Sequence, residues 1–232
     1  DYNVVQKGKF EDLLDTVLPV PACKLYLLFD RPWWTGSKAS AGLFTEHKAI
    51  ASYTDLPMRQ CIYYREVFAD EKALIMACYA DHVATSFWSV LAETTDHENA
   101  TQSWLTKVSV PSGPAAMVHA ARNQLSAMHG GMEVPDTQWT PHYWDWSKDP
   151  YGAGWHAWAP HYKSWEVRKS IRQPNLKIPL YTCGEAFAQI QGWAEGAVRS
   201  AEMALRHAST APTERFDLDY PAWVDPEPEF DP

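Results

Sequence analysis

The sequence has no surplus of positive charge. Its 20 Lys and Arg stand against 29 Asp and Glu, a net charge of −9 at pH 7. A nucleic-acid-binding domain ordinarily carries a basic footprint, so that class of partner is set aside. No apolar run approaches the ~20 residues needed to span a bilayer, which sets aside a membrane-spanning helix. Cysteine is scarce: Cys23, Cys61, Cys78 and Cys183 lie far apart, with no CxxC spacing. That excludes a structural zinc motif, and no metal site is expected; each lies in an apolar segment and reads as a buried free thiol. There is no internal repeat, so a solenoid is excluded. A GxGxxG loop is also missing, because Gly130-Gly131 and Gly152-Ala153-Gly154 lack the strand–turn–helix setting of a phosphate loop.

What is present is an ordinary globular composition and an unusual number of tryptophans. Hydrophobic residues make up 46% of 232 positions, enough for a sizeable core. Of 12 Trp, 7 fall between Trp139 and Trp193. Such enrichment serves core packing, or a pocket for a flat or cationic ligand. Asn99-Ala100-Thr101 fits a glycosylation sequon, a triplet that also arises by chance.

Along the chain, apolar positions at helical spacing predict a helix from Lys9 to Leu18, ended by Pro19, Val20 and Pro21. Lys24 to Phe29, Gln60 to Tyr64 and Ala73 to Tyr79 read as strands, the last two joined across Asp70-Glu71. Residues 33–50 read as loop. Residues 82–92 read as a short helix, and 97–128 as helical with a break at Pro111 to Pro114. The Gly-, Pro-, His- and Trp-rich stretch 129–163 reads as a long functional loop. Residues 176–182 read as a strand, 192–208 as a helix and the last twenty as an extended acidic, Pro-rich tail. The fold class is α+β, with a mostly antiparallel sheet and helices.

Chemistry concentrates between Cys183 and Ala197, where Gly184-Glu185 follows an apolar run and Gly192-Trp193-Ala194 opens a helix. A helix N-terminus offers free N–H groups and partial positive charge to an anion. By itself this is also an ordinary strand–loop–helix corner. The stretch resembles the C-terminal flavin-binding signature of the amine oxidase and L-amino-acid oxidase family. Three further segments resemble that family in its order: Pro21 to Leu27, Leu74 to Tyr79 and Tyr143 to Trp155, with Thr54-Asp55-Leu56-Pro57 and Tyr63-Tyr64 between the first two.

The resemblance implies FAD as cofactor. Glu185, after Gly184, would meet its ribityl and phosphate region, and Gly192, Trp193 and Ala194 its pyrimidine edge. Trp146 would pack near the flavin, and Lys24 would reach flavin N5 through a water. Tyr79 would bind a substrate carboxylate. Gly192 and Trp193 would border the substrate, and Trp155, His156 and Trp158 its side chain. Asp81 would meet a basic side chain, or is a surface turn residue. Without the resemblance, Lys24 reads as a strand-edge lysine and Tyr79 as a half-buried strand tyrosine.

The resemblance further implies three regions: a partial substrate-binding domain over 1–175, a flavin-contact strand and helix over 176–210, and a tail over 211–232. The strand and helix would complete a flavin-binding domain supplied largely by another chain. The expected activity is oxidative deamination of an L-amino acid to a 2-oxo acid, ammonia and hydrogen peroxide. Its partners would be an amino-acid substrate, dioxygen and a second polypeptide carrying the dinucleotide-binding half, in a hetero-oligomer. Alternatives are an amino-acid 2-monooxygenase, an amine oxidase, a non-catalytic subunit, or a carbohydrate-binding protein suggested by the tryptophans.

Overall fold

The structure, a computed structural model, describes residues 7–36, 50–64, 72–93, 115–137 and 141–208. The chain divides into two compact units: a sheet unit, Val20–Gly154, and a helical unit made of Asp1–Pro19 and Trp155–Pro232. Together the elements form an α+β fold with antiparallel sheets.

The sheet unit is organised by strand alternation. Strands β2 (Ala22–Phe29), β3 (Ile50–Tyr53), β4 (Gln60–Tyr64), β5 (Ala73–Asp81) and β6 (His142–Asp145) form a five-stranded sheet in the order β3-β4-β5-β2-β6. All its pairings are antiparallel, and β2 lies between β5 and β6. Successive side chains alternate between faces. On β2 this sends Cys23, Leu25, Leu27 and Phe29 into the core, with Cys61 and Tyr63 of β4 and Ile75 of β5. Helix α2 (Ala84–Glu93) brings Trp88 to that core, and α3 (Ala115–Met128) brings Met117, Ala121 and Leu125 at i, i+4, i+8. A buried Met or Leu such as Met117 or Leu125 contributes about 1.5–3 kcal/mol by leaving water. Trp88 is fully buried and satisfies its polar atom by donating from Nε1 to Pro57 O at 2.9 Å.

The opposite face of the sheet is different in kind. Lys24, Tyr26, Tyr64, Tyr79, His142 and Trp144 are each half-buried there. A bulge between Leu25 and Tyr26, opposite Cys78 and Met76, lets Cys78 and Ala80 point coreward while Tyr79 stays on the second face.

The helical unit holds α1 (Lys7–Leu14), a two-stranded sheet of β1 (Val17–Val20) and β7 (Trp155–Trp158), α4 (Ser164–Arg172), a 3₁₀ turn (Glu185–Phe187) and α5 (Ala194–Ala208). Helix α1 packs on α4, and the 3₁₀ turn contacts β7, α4 and α5.

Several sequence expectations shift. The first helix stops at Leu14 and the chain turns, with Thr16 Oγ1 donating to Leu13 O at 2.6 Å. Pro19 then lies in β1, where a missing N–H is tolerated as it would not be inside a helix. The stretches read as loop hold a 3₁₀ turn, Trp33–Gly36, the first residue of β3, and all of β6 and β7. Residues 176–182 form no strand. A strand needs a neighbour for its backbone groups, and these find others: Leu180 N donates to Ile178 O, Thr182 N to Arg172 O, and Gln173 Nε2 to Ile178 O. The Asp70-Glu71 turn, the Pro111 to Pro114 break, the sequon and the tail over 211–232 lie outside the described residues.

One buried and one half-buried histidine make folding sensitive to acid. His129 Nε2 lies 3.0 Å from Tyr63 Oη, and burial lowers its pKa below the ordinary 6.5. Burial lowers that of His142 as well. The unfolded chain therefore takes up these protons first as pH falls. The contribution of these two histidines to stability is fully present above pH 6.5. It is lost as pH falls through the folded-state values. Melting is expected at a lower temperature at about pH 5.5 than at 7.5, with a smaller difference in His129→Gln. Equal pH dependence in the variant would contradict this.

Candidate functional site

In the sheet unit, chemistry gathers around Lys24. The central strand fixes its neighbours: residue 24 pairs with Tyr79 of β5 on one side and Trp144 of β6 on the other. Trp146, just past β6, is held by its N–H donating to Ala22 O at 3.0 Å. Lys24 Nζ stands 4.7 Å from the centroid of the Tyr79 ring and 5.4 Å from that of Trp146. Both distances are within cation–π range. Among the described residues no carboxylate and no hydrogen-bond acceptor meets this ammonium. Burial lowers its pKa, since desolvation disfavours the charged form.

The surrounding phenols respond oppositely. Burial, then the nearby Asp81, raises the pKa of Tyr79; burial, then Tyr64 and Tyr79, raises that of Tyr26. The result is a cation held between rings with unused donor capacity. Tyr26 and Trp144 were not singled out from the sequence. The available signal was the two-residue period, which puts Tyr26 on the face of Lys24.

In the helical unit, Glu185 is the node. Gly184, at φ 138°, a value only glycine adopts readily, turns the chain into the 3₁₀ turn, and its N–H donates to Ser200 Oγ of α5 at 2.8 Å. Glu185 Oε1 accepts from His156 N at 3.1 Å and from Gly192 N at 2.5 Å. Oε2 lies 3.0 Å from His156 Nδ1. Gln191 laces the same loop to β7, accepting from Trp158 N at 3.0 Å and donating to Ala186 O at 2.6 Å. The Trp155 ring lies 3.6 Å from where a Cβ on Gly192 would stand. Trp193, 70% exposed, caps α5, its carbonyl accepting from Gly196 and Ala197; Ala194 begins the helix.

The structure thus groups Lys24, Tyr79 and Trp146, with Asp81 two residues beyond Tyr79, in the sheet unit. It groups Trp155, His156, Glu185 and Gly192 in the helical unit, with Gly184, Trp193 and Ala194 adjoining and Trp158 further along β7. Glu185 is already engaged by protein N–H groups, which the sequence did not reveal. Among the described residues no cluster of His, Cys, Asp or Glu is arranged to hold a metal ion, and no helix is long and apolar enough to cross a membrane.

Two curated proteins resemble the chain. Aplysianin-A of Aplysia kurodai is 25% identical over 210 residues, covering 89% of this chain and 36% of its own length. L-amino-acid oxidase 4 of Hebeloma cylindrosporum is 26% identical over 189 residues, covering 80% of this chain and 28% of its own length. These similarities support an L-amino-acid-oxidase-like family. The chain spans about a third of the length of the curated relatives it matches. No protein-family model matches it. The oxidase-named relative suggests an oxidoreductase.

Proposed function

We propose that the chain is part of a flavin-dependent L-amino-acid oxidase. The overall reaction would be oxidative deamination of an L-amino acid to a 2-oxo acid and ammonia, with hydrogen peroxide formed from dioxygen and with FAD, when bound, as the hydride acceptor. Lys24 carries this reading. A half-buried ammonium facing two rings, with no acceptor among the described residues, is costly unless a ligand supplies one. Similarity to an L-amino-acid oxidase supports the same reading.

Within each unit, taken by itself, the residues suit part of an FAD molecule. Lys24 supplies a donor for a ring nitrogen, directly or through water, and Trp146 and Tyr79 supply flat apolar surface. Glu185 has three hydrogen bonds on a carboxylate with about four acceptor sites, which leaves room for a ribityl hydroxyl. The N-terminus of α5, at Gly192, Trp193 and Ala194, favours an electron-rich edge. When bound, FAD supplies the hydride acceptor and the path of electrons to dioxygen. The family resemblance would assign Tyr79 to the substrate carboxylate, Gly192 O to its amine, and Trp155, His156 and Trp158 to its side chain.

The dinucleotide-binding half is proposed to come from outside these 232 residues, on a second polypeptide in a hetero-oligomer. Helix α5 carries an apolar stripe of Ala194, Val198, Ala201 and Leu205, on which Val198 is 50% and Leu205 52% exposed, and this supports a further covering segment outside the described residues.

Product analysis of the natively purified assembly with L-amino acids in air tests the function. Ammonia, a 2-oxo acid and peroxide are expected together. An amide product would reassign it as a 2-monooxygenase, and turnover of amines lacking a carboxylate as an amine oxidase. Tyr79→Phe is expected to raise KM for amino acids about tenfold with kcat nearly kept, the loss of one hydrogen bond to a charged group. An unchanged KM removes Tyr79 from the site.

A further inference from the structure

Asp145, the last residue of β6, stands on the core face of the sheet with its ladder partner Cys23 and with Tyr143, two residues earlier. A half-buried carboxylate on that face is costly unless its oxygens are satisfied. Both are. Oδ2 accepts from Ser89 Oγ of α2 at 2.9 Å and lies 3.5 Å from Tyr143 Oη. Oδ1 accepts from Ser147 N at 2.9 Å and from Ser147 Oγ.

The residue enclosed by these bonds is Trp146. Its own N–H is fixed on Ala22 O, and the next N–H is fixed on Asp145 Oδ1, so the peptide groups on both sides of its Cα are held. Tyr79 needs no such device, because it pairs with Lys24 inside the ladder. Trp146 lies beyond the last residue of β6, yet its ring centroid stands 5.4 Å from Lys24 Nζ. An apolar side chain at 145 would suit a core face but would leave Ser147 N–H without its acceptor.

We propose that Asp145 is a positioning residue that holds Trp146 over the Lys24 ammonium and so fixes one aromatic wall of that site. Its effect on rate rests on the oxidase reading above. Ser89 anchors the carboxylate to α2, the helix that carries Trp88 into the core, so the turn after β6 is set from the rigid side of the sheet.

Two measurements test this. In the full chain labelled with ¹³C-lysine, the ε-methylene protons of Lys24 are expected upfield of the ordinary lysine position, because the side chain ends against two ring systems. The signal is assigned by its loss in Lys24→Met. Asp145→Ala is expected to move it toward the ordinary position, as Trp146→Leu does. Asp145→Leu, whose apolar side chain suits the core face, gives the same reading should the alanine protein fail to fold. Asp145→Asn is expected to keep the upfield signal, since its amide oxygen still accepts from Ser147 N and its amide nitrogen donates to the two hydroxyls. A wild-type signal at the ordinary position overturns the positioning role. So does one unmoved by Asp145→Ala or Asp145→Leu, or one moved as far by Asp145→Asn.

In the natively purified assembly, Asp145→Leu and Trp146→Leu are each expected to slow anaerobic flavin reduction by an amino acid about tenfold or more, through misplaced groups at the reacting centre. The double variant is expected to be no slower than the slower single, because both remove the same contact. Effects that multiply in the double variant overturn the positioning role. A wild type that no L-amino acid bleaches instead overturns the oxidase reading, while the Lys24 signal still decides what Asp145 does.

Discussion

Lys24→Met is expected to leave flavin bound and to slow flavin reduction or its reoxidation by dioxygen about a hundredfold, the usual cost of removing one positioned donor from a reacting centre. Methionine has nearly the length of lysine and packs well against aromatic edges, so contacts with Tyr79 and Trp146 survive the change. No ion pair is broken, because among the described residues Lys24 has none. The charge it removes is one that burial already disfavours, so the variant is expected to be at least as stable as wild type. An effect on rate without an effect on folding is therefore the signature of a site lysine. Stopped-flow measurement of both half-reactions checks it, and unchanged rates in both would return Lys24 to the role of a solvated strand residue.

The second large effect is structural. Gly196→Ala is expected to destabilise the helical unit by about 1–3 kcal/mol or more, although alanine is favoured over glycine inside helices by about 1 kcal/mol. The clash decides the sign. A Cβ at residue 196 would stand 1.8 Å from Ile190 O and 3.0 Å from Ala188 Cβ. The nearest of these is backbone, so the loop or the helix must move. That loop carries Gln191 and Gly192, whose bonds to Trp158 and Glu185 position the His156 pair. Loss of the Glu185–Gly192 bond is expected along with a fall in Tm of roughly 3–10 °C. Gly152→Ala is the control: its φ is 74°, with nothing within 4 Å of the new Cβ, so only left-handed strain of about 1–2 kcal/mol is paid. A Gly196→Ala protein as stable as wild type would mean the loop adapts at little cost.

How much of this was legible in the sequence depended on whether local pattern or pairing governed each element. Strands β2, β4 and β5 were readable because dense apolar residues alternate with period two, and α5 because its small and apolar residues recur at helical spacing. β6 and β7 were hidden, since four residues apiece among Gly, Pro, His and Trp carry too little alternation. α4 was missed because its only buried residues are Val167 and Ile171 on an otherwise charged helix. Residues 176–182 misled in the other direction: apolar content alone suggested a strand, while Pro179 and the absence of a pairing neighbour among the described residues rule one out.

The site divides in the same way. Lys24 and Tyr79 lie opposite each other once the three strands are paired, so their meeting was implicit in the register. The meeting of His156 with Glu185 was not, because it depends on how the 185–192 loop folds against β7.

The most direct measurement of the central claim is the visible spectrum of the natively purified assembly, taken anaerobically before and after a mixture of L-amino acids is added. The account predicts oxidised-flavin absorption that bleaches on addition and returns on admitting air. Flavin that fails to bleach with any L-amino acid, or a natively purified protein without flavin, would contradict it.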